Sequence, residues 1–345
     1  MNKLVYLLFA FFVLVSCNKR TSLGDNLVVN SPVTKIPEYN NLIGLVQDCA
    51  DPFVLKHQDS FYLYGTGGND GIRVYVSKDM VNWTRSIHTE GGYALHKNDV
   101  WGERWFWAPE VYQLNDKFYM FYTAEERIAV AESTTPFGPF RQSEANKKPF
   151  HANIPEIDTH LFIDEDEKKY LYFVRFTDGN EIWAAELSDD MYSIKESTLV
   201  RCFGASQKWE NSKLPPFPGA KVNEGPFMLK HKGLYYLTYS ANHYQNPDYG
   251  VGYATSNNPL GPWEKYDKNP ILTGNDKIQG VGHHSFINTT EGCDYIVYHT
   301  HLDMNKVHPR KVGIDTYKFV NSAVGVPDIL VVNGPTTKPQ KLCNE

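Results

Sequence analysis

The stretch Val222-Asn-Glu-Gly-Pro-Phe-Met-Leu-Lys-His-Lys-Gly-Leu-Tyr-Tyr-Leu-Thr-Tyr-Ser240 carries an acid on a Gly-Pro turn, an apolar strand, a Lys-Gly turn and an aromatic strand. That is the pattern of an antiparallel hairpin with Glu224 at its entrance. The phrase recurs. Asp51 opens DPFVLKHQDSFYLYGT, Ala108 opens APEVYQLNDKFYMFYT, Asp158 opens DTHLFIDEDEKKYLYF and His283 opens HHSFINTTEGCDYIVYH. The intervals between the five leading residues are 57, 50, 66 and 59, periods that mark a propeller or a solenoid. Each interval holds further short strands, among them Ile72–Ser77, Ile128–Glu132, Ile182–Glu186 and Gly250–Thr255. Three or four strands per repeat make one blade, so the expected fold is all-β, a single-domain five-bladed β-propeller. The first strand of each blade then lines a central channel. In that arrangement Asp51, Asp158, Glu224 and His283 converge on the axis, although they lie far apart in the chain.

The composition agrees with such a fold: 14% aromatic residues, 22 Tyr, 25 Gly and 20 Pro, with no long helical periodicity. A formal net charge of −6 and the lack of a basic stripe argue against nucleic acid, whose phosphates require clustered Lys and Arg. The chain starts with a basic Met1-Asn-Lys3, an apolar run from Leu4 to Val15 and Leu14-Val-Ser-Cys17. That run is too short to span a bilayer and reads as an export signal over residues 1–17. The ending resembles the bacterial lipoprotein box, which implies lipid on Cys17 and a membrane-anchored, exported protein; a plain signal peptide is the alternative. Residues 18–41 are polar and read as a tether, leaving 42–345 for the propeller. Cys49, Cys202, Cys293 and Cys343 show no CxxC spacing; unpaired buried thiols are expected, with one disulfide as the alternative.

Within the repeats, Asp51 precedes Pro52, which suits the first residue of a strand because proline cannot donate to a ladder. The loop Gly91–Trp107 holds Trp101, Trp105 and Trp107. Flat rings stack on the C–H faces of sugars, and the other use of such tryptophans is to fill the wedge between blades. Trp107, beside the leading position of its blade, is the candidate for substrate binding. Two adjacent histidines on a strand face opposite ways, and register gives the channel to His283. Arg310 returns a cation late in the chain, to orient a carboxylate or a sugar hydroxyl.

Asp51-Pro before FYLYGT, Trp107-Ala-Pro-Glu110, Ile157-Asp158 before LFID, Glu224-Gly-Pro226 before YYLTYS, GYATSNNPLGPW over 252–263, Gly282-His283 and Gly334-Pro-Thr together resemble glycoside hydrolase family 43. The resemblance spans about residues 44 to 340. It implies hydrolysis of arabinofuranosides or xylosides with inversion, with Asp51 as general base, Glu224 as general acid and Asp158 as the carboxylate that orients and tunes the acid. No cofactor is required for the chemistry; a calcium ion near His283, approached through water, is implied by many relatives. The usual Gly-Pro-Gly-His-Asn run reads Gly-Val-Gly-His283-His284 here, which departs from that metal environment. The expected substrate is an oligosaccharide or polysaccharide of plant cell-wall pentoses, cut from the chain end by a monomer. Endo action on arabinan or xylan and an inactive carbohydrate-binding propeller are the alternatives.

Overall fold

The computed structural model describes residues 36–289, 293–323 and 325–343; the export signal, Cys17 and most of the tether lie outside them. Five antiparallel sheets follow one another along the chain. Their innermost strands are Ala50–His57, Trp107–Leu114, Glu156–Ile163, Asn223–His231 and Gly282–Asn288. Each strand neighbours the next, and the fifth neighbours the first, which closes a ring. The second strands are Ser60–Thr66, Lys117–Ala124, Lys169–Thr177, Leu234–Ala241 and Asp294–Thr300. The hairpins read from the sequence are thus the two inner strands of each blade. Third strands at Gly71–Ser77, Arg127–Ser133, Gly179–Glu186, Gly250–Ser256 and Lys311–Val320 complete three strands everywhere. The second blade stops there and the others add short outer strands. Among the described residues the only helical segments are short 3-10 turns.

Aromatic strand residues fill the wedges. Tyr64, Tyr172 and Tyr236 are buried in second strands, and each donates its hydroxyl to a backbone carbonyl of the following blade, at Pro136, Pro259 and Asp328. A buried phenol without a partner would cost about 1–3 kcal/mol, so the repeated tyrosines join blades as well as pack them. The ring is also fastened at its ends. Glu38–Tyr39 pairs with Gln340–Lys341, and Leu45 and Val46 exchange backbone bonds with Val312. The buried Asn41 side chain donates to Ile314 O and Asp315. Of the residues read as tether, Glu38, Tyr39 and Asn41 are thus fastened to the C-terminal strand and the fifth blade.

All five inner strands are interrupted by the same β-bulge near their start. The bulged residue is left-handed in each: Asp51 (φ 52), Ala108 (φ 42), Asp158 (φ 57), Gly225 (φ 54) and His283 (φ 42). Such a conformation costs a non-glycine residue about 1–3 kcal/mol, and a bulge re-aims a side chain at the rim of a sheet. The fourth blade corrects the sequence register. Its bulge residue is Gly225, and Glu224 sits one position earlier, where the other blades have Ala50, Trp107, Ile157 and Gly282. The acid of the fourth blade thus enters the channel from a different backbone position than Asp51 and Asp158.

Side chains of one blade hold the bulge amide of the next. Thr66 Oγ1 accepts from Ala108 N–H (3.1 Å), Thr123 Oγ1 from Asp158 N–H (3.2 Å) and Ser240 Oγ from His283 N–H (2.7 Å). His299 occupies the same place toward Asp51. These residues all pair across the ladder with the residue before the bulge. In the third blade that place belongs to Val174, opposite Ile157, which has no polar group. The amide it leaves unserved, Gly225 N–H, goes instead to Asp158 Oδ2 at 3.2 Å. A missing hydroxyl in the ring is what ties Asp158 to the strand that carries Glu224. Val174→Thr, nearly isosteric, supplies the hydroxyl and competes for that amide. The expected result is about a tenfold loss of kcat at nearly unchanged KM, with a displaced pH profile and a retained fold; steady-state kinetics over pH checks it.

Candidate active site

One cavity of about 600 Å³ opens at the bulge end of the channel, and Asp51, Trp107, Asp158, Glu224, His283 and Arg310 all line it. Every site residue singled out in the sequence is therefore brought to one hollow. Asp51 is the most heavily served. Its Oδ1 lies 2.9 Å from Arg310 Nη1, 3.1 Å from His299 Nδ1 and 3.4 Å from His283 Nδ1, and its Oδ2 accepts from the Thr66 hydroxyl. The Nδ1–H tautomer of His299 donates to the carboxylate; the other accepts from the Asp51 amide. Burial works against ionisation of Asp51, but Arg310, His283 and His299 outweigh it and hold the carboxyl well below its ordinary range. Arg310 lies just before its strand, over the face of Tyr244 at 4.6 Å, and orients a carboxylate, one of the two uses read from the sequence.

Glu224 has neutral partners only. Tyr249 OH donates to Oε1 at 2.8 Å and Asn180 Nδ2 to Oε2 at 3.0 Å. Burial is the largest influence, and with the charge of Asp51 it overrides those two hydrogen bonds and pushes the carboxyl up to about 7. Asp158 lies well above its ordinary value, through burial and then the neighbouring Glu224 and Asp51, against the Gly225 amide. The tuning of Glu224 that the resemblance assigns to Asp158 is led by burial instead, with the charge of Asp51 beside it. Three buried carboxyls facing one hollow beside a single arginine do not all ionise. Asp51 carries the charge, and the Asp158–Glu224 pair retains a proton near neutral pH.

His283 Nδ1 also stands 3.7 Å from Asp158 Oδ2, and burial lowers its pKa. Its neighbour His284 turns into the blade, with Nε2 2.7 Å from Thr238 Oγ1, as strand alternation requires. No three His, Cys, Asp or Glu side chains among the described residues group to hold a metal ion. A cation beside His283 has no direct set of protein ligands among the described residues. Trp107 stacks on Trp105, centroids 5.7 Å apart and planes at 14°, and Trp105 is 37% exposed. Trp101 instead packs against the core of the first two blades. Cys49 is buried and Cys202 half-buried, and neither forms a disulfide.

Sequence reasoning did not single out Thr66, Asn180, Tyr249 or His299. Thr66 and His299 were findable: they end the second strand of the repeated hairpin, where Thr123 and Ser240 also stand. Asn180 and Tyr249 carry no such signal, since their role depends on how the third strands of two blades approach Glu224.

An ionised carboxylate and a protonated carboxyl on different blades, facing one cavity beside an aromatic platform, are the equipment of a glycoside hydrolase. The profile described as "Glycosyl hydrolases family 43" matches residues 42–322, and the chain belongs to that family. It is 29% identical over 308 residues to beta-D-galactofuranosidase xynD of Aspergillus niger, covering 82% of each chain. It is 27% identical over 284 residues to the extracellular exo-alpha-(1->5)-L-arabinofuranosidase ArbA of Cellvibrio japonicus, covering 74% of this chain and 79% of that one. A crystal structure of an endo-1,4-beta-xylanase from Bacteroides thetaiotaomicron superposes with a TM-score of 0.76 at 44% identity, over 86% of this chain and 98% of the other. No helix among the described residues is long and apolar enough to cross a membrane.

Proposed function

We propose that the protein is an inverting, chain-end-acting hydrolase of plant cell-wall pentose glycans, an α-L-arabinofuranosidase or β-xylosidase. Asp51 is the general base that activates water, Glu224 the general acid that protonates the leaving oxygen, and Asp158 the carboxyl that orients Glu224. The observation that carries this reading is the split protonation within one cavity: Asp51 held low by Arg310 and two imidazoles, Glu224 lifted to about 7 with only neutral donors. An inverting glycosidase needs that asymmetry, one carboxyl to give a proton and one carboxylate to take one. Trp107 supplies a stacking face for the sugar, and Arg310 keeps the base aligned. A calcium ion reached through water from His283 belongs to this reading as a structural ion outside the chemistry.

The pentose assignment is supported by the arabinofuranosidase and xylanase names of the relatives, and chain-end action by the aromatic loop that brings Trp107 to the cavity with Trp105 stacked on it. The xylanase relative at 44% identity favours a second reading, internal cleavage of xylan. In this reading the enzyme works as a monomer outside the cytoplasm, held by lipid on Cys17, which the apolar run ending in Leu14-Val-Ser-Cys17 supports. A panel of aryl arabinofuranosides and xylosides beside branched arabinoxylan and arabinan tests the substrate. NMR of the first-formed sugar should show the inverted anomer; retention would overturn the roles of Asp51 and Glu224.

A further inference from the structure

A second cavity, of about 630 Å³, lies against the first blade and is lined by His88, Glu90, Tyr93, His96, Asn98 and Arg141 with their neighbours. Its size is that of a small-ligand site. Two kinds of group face it. His88 is fixed by stacking on Phe137, centroids 4.2 Å apart and planes at 18°, and Tyr93 meets His96 edge-on at 5.2 Å, so flat rings stand in set orientations. Beside them are polar groups with unused capacity. Thr89 Oγ1 is buried without a partner among the described residues, and Arg141 engages Asp99 through Nε alone, at 3.2 Å.

The charges narrow the ligand. Glu90 and Asp99, with only Arg141 against them, would repel a phosphate or a uronate. No group of metal-ligating side chains occurs here among the described residues. What remains is a neutral polyhydroxyl compound, which offers C–H faces to rings and hydroxyls to amides, carboxylates and guanidinium. The cavity also adjoins the catalytic one. Arg73 lines the catalytic cavity and Tyr93 the second. The two are joined by the Arg73 Nη2 bond to Tyr93 OH at 2.8 Å and by the guanidinium 4.5 Å over the ring.

We propose that this cavity binds a second stretch of the same neutral glycan chain, remote from the bond being cleaved. The proposal rests on the reading of the enzyme as acting on polymeric glycans. Linking two sites on one chain raises polymer affinity through effective concentration without altering the chemistry.

The test is a full-length variant carrying His88→Ala and Asn98→Ala, side chains outside the catalytic cavity. Affinity electrophoresis through gels containing arabinan or arabinoxylan reads binding without turnover, and kinetics on an aryl pentoside reads the catalytic site. The expected result is a loss of gel retardation and about a five- to tenfold rise in polymer KM, with aryl pentoside kinetics unchanged. Equal retardation of variant and parent, or a parallel fall on polymer and aryl substrate, would overturn the proposal. Asn98→Ala alone, at an exposed side chain, serves if the double variant unfolds. A parent inactive on every aryl pentoside would sink the catalytic reading, while the gel result would still decide the second site.

Discussion

Glu224→Gln should lose about 10²- to 10⁴-fold in kcat on natural linkages, the usual contribution of a general acid, and much less on an aryl glycoside whose leaving group departs without a proton. Glutamine keeps the shape and can still meet Tyr249 and Asn180, so the loss isolates the proton. Equal losses on both substrates would remove the assignment. The same variant should be more heat-stable than its parent in mild alkali. The Glu224 carboxyl titrates at about 7 in the folded protein against an ordinary 4.5. Between those values the folded state binds more protons than the unfolded state, so stability falls as pH rises through that window. A side chain that cannot ionise escapes this decline, and calorimetry at about pH 8 should find the higher Tm in the variant. Activity should fall as pH rises past about 7 and the acid loses its proton.

Asp51→Asn should abolish measurable turnover, a loss of about 10⁴-fold or more where a base must take a proton from water, while product still binds in calorimetric titration. Turnover retained within a small factor would transfer the role of base to another group. Here the stability effect has the opposite sign. Asp51 is the only carboxylate paired with Arg310 among the described ion pairs, and both side chains are nearly buried. Leaving one member of such a pair without its counter-charge costs about 3–5 kcal/mol. Because the folded pKa of Asp51 is depressed, its contribution is present above the ordinary carboxyl range and is lost as pH falls through the depressed value. Two amide-for-acid replacements in one cavity are thus expected to move Tm in opposite directions, since one acid is charged and compensated and the other is buried with neutral partners only.

Which side chains share the cavity was legible in the sequence. Asp51, Asp158, Glu224 and His283 stand at the entrance of a repeated hairpin, and a ring of such hairpins must bring their entrances together. Trp107 follows from its place beside one of those entrances. What the phrases did not carry was the backbone register in the fourth blade, where the bulge falls on Gly225, and the direction of influence between Asp158 and Glu224. Trp101 could not be told from Trp105 by composition, although one packs into the core and the other stacks at the cavity. The pairing of Glu38–Tyr39 with Gln340–Lys341 was also invisible, because a polar segment whose amides are satisfied by a distant strand looks like a tether in the sequence.

The sequence by itself determined the number of blades, the order of their strands and which acids meet, because alternation and spacing are local properties that survive any placement in space. Only the tertiary structure decided which acid is charged. The ionisation of Asp51 depends on Arg310, 259 positions away, and the hold on Asp158 depends on a valine where neighbouring blades have a hydroxyl or an imidazole. Electrostatic energy follows distance and burial, and neither is written in the order of residues.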